Sequence, residues 1–452
     1  MYERTRSFAP LPHWIAVTDR PAPRLRCAAR DEVPAQPLSL DQILTPGHPA
    51  RAVWDFAQRL DLSHLYDRIK ATEGRPGHPH VDPRILLALW LYATIDGIGT
   101  ARGLDRLCSE HTAYRWLCGG VSVNYHTLAD FRVDHHDWLN ELLTGSVAVL
   151  LHQELVTLNR VAQDGMKVRA SAGADTFRRL PTLQDCLTQA QEQVEALSRQ
   201  ADESDAAVSQ RQRSARRRAA RERVERLEKA LGMMPALRAS KEAFEKGTGD
   251  KARASTTDPD ARVMKMPDGG YRPAYNVQFA TDTASGLIVD ATAVNRGTDN
   301  GLMGACVDRI AGRFGRAPKE VLVDAGFGSM EDIEHVRSAH GAVAYMPIKN
   351  GKQWEQKGKD PYAPRKGDTA AVVEWRKRMG TEAAREIYKQ RSSSAEWVNA
   401  GCRNRGLYRL VVRGVEKVRC CALWQALAHN LMVMWRAATR RQTPVTSDDP
   451  RE

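Results

Sequence analysis

The chain has 452 residues, 42% hydrophobic and 27% charged, with a formal charge of +12 and a pI near 9.4. Length and composition indicate a soluble globular protein of two to four domains, and the positive balance favours a polyanionic partner, of which nucleic acid is the commonest. The eight cysteines form no CxxC pair and no Cys/His cluster has zinc-finger spacing, so no zinc finger is expected and nothing requires an oxidising compartment. The longest apolar run, "ILLALWLYATI" at 85–95, is too short for a membrane span of about 20 residues, and "MYERTRSFAPLPHW" lacks the apolar stretch of a signal peptide. A cytoplasmic protein is expected.

Residues 1–45 are proline-rich and weakly patterned, which predicts a loosely ordered lead-in. From 46 to 158 the pattern is helical. "DPRILLALWLYATI" places Pro83 in a first turn ahead of a broad apolar face. "TARGLDRLCSEHTAYRWLCGG" starts at Thr100 and stops at Gly119 and Gly120, and "HTLADFRVDHHDWLNELL" opens with Thr127 as N-cap and Asp130 three residues on. The second of these stretches reads as one helix. The third, with Arg132, His135 and His136, reads equally as a DNA-recognition helix or a packing helix.

A change of period follows. "NRVAQDGMKVRAS" (159–171) alternates as a strand, and "AYNVQFATDTASGLIVDATAVN" (274–295) reads as a hairpin turning at 282–286. A helix near 299–314, a short buried strand in "KEVLVDAGFG" ending at Asp324, a helix at 330–340 and a strand in "AVAYMPIK" complete a mixed α/β core. Residues 181–250 interrupt this core as a polar helical arm, opening with Thr182 as N-cap. Within it, 211–229 holds nine Arg or Lys against three Glu, a run that suits DNA phosphates or, equally, a solvated arm or subunit contact. Residues 350–384 form a charged loop and a helix. "VRCCALWQALAHNLMVMWRAA" is a buried helix in which His429 and Asn430 read as structural, and a disordered tail is expected from 441 to 452.

One acid stands out. Glu396 is the sole carboxylate between Glu386 and Glu416, and Lys389, Arg391, Arg403, Arg405, Arg409 and Arg413 surround it. Such a field implies a polyanion that the acid must also touch, through a metal ion. Asp164 on the first strand and Asp324 at the end of the fourth are strand-borne acids followed by small residues, open to solvent and ions. Glu396 is expected to begin a helix capped by Ser392–Ser394. Three carboxylates from separate elements can hold two magnesium ions for an in-line phosphoryl displacement. Spacing alone does not select this trio, since 55 acids offer many others and a turn or cap role suits any one of them. Asp282, Asp290 and Asp299 read as turn or strand-end residues.

The stretches around the trio narrow the choice. In order, "LADFRVDH", "VAQDGMKVRASAG", "DPDARVMKMPDGGYRPAYNVQFATD", "VLVDAGFGS", "YKQRSSSAEW", "NRGLYRLVVRGVEKVR" and "ALAHNLMVMWR" resemble the DDE transposases of bacterial insertion sequences. They resemble most the branch with an N-terminal helical transposase domain before the DDE domain. The resemblance runs from about 46 to 437. It implies a ribonuclease-H-like catalytic core over 159–440 with the helical insertion at 181–250, preceded by an all-α DNA-end-binding domain at 46–158. It implies that Asp164, Asp324 and Glu396 are catalytic and hold two Mg2+ ions, replaceable by Mn2+. The Tyr–Arg–Glu–Lys signature of the family falls on Tyr388, Arg391, Glu396 and Arg403, with four residues between Arg391 and Glu396 where three are common, and arginine for lysine. Tyr388, Arg391, Arg403, Arg405 and Arg132 are the DNA-binding expectations.

The implied partners are the terminal inverted repeats of the element and target DNA, with at least a dimer in the end-paired complex and a nucleoid association. Water first opens the phosphodiester at the element end, and the freed 3′-hydroxyl then attacks the target. The competing reading is a non-catalytic DNA-binding protein, a decayed or repurposed transposase, against which an intact trio counts. A coiled-coil scaffold is disfavoured by the sparse apolar repeat of the arm.

Overall fold

A computed structural model describes residues 39–69, 80–203 and 210–442. The expectations for 1–38 and 443–452 lie outside the described residues. Residues 39–45, expected to be loosely ordered, instead form a 3-10 turn (Leu40–Ile43) capped by Ser39 and Gln42. Arg51 holds this turn through Asp41 at 2.7 Å and the Asp41 and Leu44 carbonyls.

Seven helices follow: α1 (Pro49–Arg59), α2 (Ser63–Tyr66), α3 (Pro83–Ile95), α4 (Ala101–Glu110), α5 (Thr112–Cys118), α6 (Tyr125–Val133) and α7 (His136–His152). Asp82 caps α3 with Pro83 in its first turn, as the pattern predicts, and eleven of its thirteen residues are buried. The expected helix from Thr100 to Gly119 breaks at His111, whose extended backbone ends α4 and whose ring caps α5. The N-cap of α6 is Asn124, not Thr127, because the Asn124 side chain already accepts from the two free amides of His126 and Thr127.

The second half is built on a mixed sheet. Its strands are β1 (Arg160–Arg169), β4 (Arg262–Lys265), β5 (Tyr271–Asp282), β6 (Ile288–Val294), β7 (Glu320–Leu322) and β8 (Val343–Tyr345), while β2 (Phe177–Arg178) and β3 (Ala254–Ser255) pair separately. Reading across, β5, β1, β7 and β8 are neighbours, and β4 and β6 follow one another along the outer edge of β5. The pairs β1–β5, β4–β5 and β5–β6 are antiparallel; β1–β7 and β7–β8 are parallel. The strand β4 was not expected. It is short, and its outward residues are polar or exposed (Arg262, Val263, Lys265), so period-2 patterning barely marks it.

The arm comprises α8 (Leu180–Glu203) and α9 (Gln210–Phe244). Thr182 lies inside α8, not at its cap, since the helix already begins at Leu180. Sparse as they are, its apolar residues suffice to close the arm on itself, where Leu183, Ala190, Leu227, Ala230 and Met234 make a cluster with Ala252 and Ala254. Its base is pinched shut by the pairs Phe177–Ser255 and Arg178–Ala254. Excising 181–250 and joining the ends by a short turn therefore leaves the remaining chain folded, with cooperative urea unfolding and a near-native circular dichroism spectrum. The shorter loop costs less closure entropy. Loss of cooperative unfolding would show the arm to be part of the main core.

Helices α10 (Met303–Phe314), α11 (Met330–His340), α12 (Gly351–Gln356), α13 (Ala370–Met379), α14 (Glu382–Arg391), α15 (Trp397–Asn404) and α16 (Val415–Gln442) complete the chain. One apolar cluster runs from Leu44 through α3, α6 and α7 to β1, β5, β6 and α16. The indole of Trp424 donates to the Arg132 carbonyl at 2.9 Å, tying α16 to the end of α6. Cys420 and Cys421 are buried there. His429 bonds the Gly286 carbonyl and Asn430 both backbone groups of Ile288, which fits their structural reading. Among the described residues, no helix is long and apolar enough to cross a membrane.

Candidate active site

Register explains why two aspartates from distant parts of the chain lie side by side. In the parallel β1–β7 ladder Ala162 stands opposite Leu322. Two residues further along each chain are Asp164 and Asp324, and an even step keeps both on the face shared by that pair. β7 ends at Leu322, and Asp324 then caps a short 3-10 turn (Ala325–Phe327), its carboxylate accepting from the Gly326 amide at 2.7 Å. Gly165 follows Asp164 on the opposite face, where a Cβ would come within 2.1 Å of Gln278 Nε2 and 2.4 Å of Asp299 Oδ1. An added Cβ would therefore displace the side-chain ends of Gln278 and Asp299, which are bonded to each other behind the acid.

Glu396 arrives by an irregular helix. Residues Ser392–Glu396 form one π turn between α14 and α15. On a regular α-helix, residues five apart diverge by about 140°, so Arg391 and Glu396 would face different directions. The wider π turn, with its five-residue hydrogen-bond step, brings them onto one side, and Arg391 Nη1 donates to Glu396 Oε1 at 2.7 Å. The extra residue in the signature spacing is absorbed there. The expectation that Ser392–Ser394 cap a new helix is corrected: the helix runs through. Their hydroxyls instead donate back to the carbonyls of Lys389, Gln390 and Arg391, as serines in mid-helix do.

One guanidinium reaches all three acids. Arg391 lies 3.0 Å from Asp164, 3.8 Å from Asp324 and 2.7 Å from Glu396. It is 8% exposed, and its Nε is buried without a partner. Burial works against its charge, but Asp164, Tyr388, Asp324 and Glu396 together outweigh this and push the guanidinium pKa up. Burial also raises the Asp164 pKa above the ordinary carboxylate value, with Asp324 adding to it and Arg391 opposing it. An acid desolvated beside another acid stays ionised only with a cation nearby, and otherwise takes up a proton.

Asn399, one turn after Glu396, was not anticipated. It donates to Asp164 Oδ2 at 2.9 Å, while its own Oδ1 is buried with no partner. Its signal was the spacing of three from Glu396, which shares a helical face. Asp299, read as a turn residue, receives Asn276 at 2.6 Å, Gln278 at 2.7 Å and Lys167 at 3.2 Å behind the sheet. Asp282 closes its turn through Ser285, and Asp290 is buried between Arg309 and Arg313.

The other expected site residues separate into two groups. Tyr388 is half-buried beside the acids, its phenol pushed up to about 12, chiefly by burial. Arg403 is exposed on α15, seven residues beyond Glu396. Arg405 instead turns inward to Gln425, Cys402 and His429. Arg132 donates to the Gly99 carbonyl and stacks 4.8 Å from the Trp90 ring. These two are engaged within the fold, and neither joins the acids.

The acids fit divalent ions. Hard carboxylate oxygens suit Mg2+ or Mn2+, and a protein cation already sits where positive charge is needed. Comparison with known families agrees with this chemistry: a model described as a transposase DDE domain matches residues 249–431, and one described as a transposase domain (DUF772) matches 38–134. The chain belongs to the DDE transposases. No curated protein and no solved structure matches it. The DDE match covers Asp324 and Glu396 but begins only at the end of the arm, leaving Asp164 outside it. In this transposase, β1 nevertheless lies between β5 and β7 in the same sheet as the matched segment.

Proposed function

We propose that this transposase cuts the ends of an insertion sequence and joins them to target DNA at a site made by Asp164, Asp324 and Glu396. The observation that carries this is the single guanidinium of Arg391 in contact with all three carboxylates. The mixed sheet with helices packed against it is compatible with the ribonuclease-H-like core that a DDE domain implies, spanning 159–440 around the arm. Residues 46–158 serve as the DNA-end-binding domain, joined to that core through α16.

Asp164, Asp324 and Glu396 would hold two Mg2+ ions, with Mn2+ able to replace them. When bound, such ions activate the attacking oxygen and stabilise the leaving oxygen of the phosphodiester. The chain's own residues prepare the place. Asn399 fixes the orientation of Asp164. The Gly326 amide fixes that of Asp324. The π turn aims Glu396, and Arg391 balances the acids' mutual repulsion. Exposed Arg403, with Arg409, is suited to phosphates of the duplex on either side. Pairing of two element ends calls for a dimer or larger complex on DNA, working in the cytoplasm at the nucleoid. A non-catalytic DNA-binding role does not account for acids gathered around a buried cation.

Titrating Mn2+ into the full chain and following free ion by electron paramagnetic resonance tests this reading without any DNA. Wild type is expected to take up Mn2+. The Asp164→Asn variant, matched for circular dichroism, should bind it more weakly by at least the roughly tenfold to hundredfold typical of damaged metal sites. Equal uptake by both would place Mn2+ elsewhere.

A further inference from the structure

The helices α10 and α11 cross closely at Gly304, where a Cβ would meet Asp332 Oδ1 and the His335 ring at 3.0 Å. Asp332 also accepts from the Met303 amide at the start of α10. One turn further along α10 stands Asp308. Two imidazoles converge on it: His335 Nε2 at 2.8 Å and His340 Nε2 at 2.6 Å, both from the same carboxylate oxygen. Their rings meet edge to face, 5.7 Å between centroids and at 89°. Five residues apart on a helix, two side chains diverge by about 140°, so helical periodicity does not explain the meeting. It depends on His340 being the last residue of α11, before the left-handed Gly341.

From this we infer that Asp308, His335 and His340 form a zinc site separate from the acid trio. The three ligand atoms lie within 4.8 Å of one another, and no other His, Cys, Asp or Glu trio among the described residues is so close. Ligand atoms around tetrahedral Zn2+ stand roughly 3.3 Å apart, from bond lengths near 2.0–2.1 Å. Small rotations of side chains that are 45%, 49% and 18% exposed (His335, Asp308, His340) supply that spacing. Two imidazole nitrogens and one carboxylate favour Zn2+ over Mg2+, which prefers oxygen. Water completes the shell. The bound ion staples α10 to α11 immediately after the loop that carries Asp324, so its effect is on the stability of that helix pair.

The test uses the full chain without an affinity tag, stripped by a chelator and titrated with Zn2+ against a chromophoric indicator. Excess Mg2+ is present to occupy oxygen sites. Wild type is expected to bind about one Zn2+ and to gain thermal stability from it. His335→Gln and His340→Gln should each weaken binding by at least the roughly tenfold to hundredfold that even an outer-shell loss costs, and the double variant should lose both effects. Asp308→Asn provides the same comparison if the double variant misfolds. Failure of wild type to withdraw Zn2+ from the indicator, or equal binding by variants and wild type, overturns the assignment.

Discussion

Replacing Glu396 by Gln is expected to abolish strand cleavage while leaving binding to element ends intact or slightly tighter. The amide keeps the size of the side chain and its place in the π turn, and it still accepts from Arg391 at the position now 2.7 Å away. What it loses is the charge proposed to hold a divalent ion, which also repels a phosphate. Band-shift and cleavage assays on the same labelled end separate the two effects. Arg403→Ala should fail in the opposite way. An exposed phosphate contact releases about one counterion, so binding weakens and the slope of log affinity against log salt flattens by about 0.9. Full cleavage by the Glu396→Gln variant in Mg2+ would falsify the metal role of this residue.

The second large effect belongs to Arg391→Ala. Removing one partner of a buried ion pair costs on the order of 3–5 kcal/mol, because the remaining charge is left uncompensated. Asp164 is 14% exposed and bears most of that loss, whereas Glu396 at 54% is screened by water. The variant should therefore unfold at distinctly lower urea concentration than wild type in EDTA. Divalent ions stabilise whatever folded state binds them, by about 2.7 kcal/mol at a hundred times the dissociation constant. They also replace the missing positive charge, so Mg2+ should narrow the gap between variant and wild type. A gap of the same size with and without Mg2+ would show that Arg391 and the ions do not share these carboxylates.

Much of the core is legible because its strands are rich in apolar and β-branched residues and are bounded by turn residues. The hairpin at 282–286 follows from period and from glycine placement, whereas the strand expected to end at Asp324 stops at Leu322, because Asp324 leaves the ladder to cap the next turn. β4 leaves little trace in the sequence because its outward positions are polar or exposed and the turn at Asp268–Gly270 masks its pairing. Caps are ambiguous where two polar residues lie close together, as Asn124 and Thr127 do, since only the folded backbone decides which side chain reaches the free amides. For the site, residue types and family stretches pointed to the three acids. They did not reveal that Arg391 lies among the acids rather than out toward solvent. That depends on one π turn, and the only trace in the sequence was an extra residue before Glu396. Arg132 and Arg405 show the converse. Basic residues read as DNA contacts are spent on a carbonyl, an indole face and a buried histidine, and charge alone cannot distinguish these uses.

The central claim is metal-dependent cleavage of DNA by Asp164, Asp324 and Glu396, and end cleavage tests it most directly. Purified full chain is incubated with a labelled duplex carrying the terminal repeat that flanks its own coding region, in Mg2+ or in EDTA. Cuts at the element boundary are expected in Mg2+ and none in EDTA, with none in either condition for the Asp164→Asn, Asp324→Asn or Glu396→Gln variants. Boundary cleavage that persists in EDTA, or that survives loss of any one of the three acids, would contradict it.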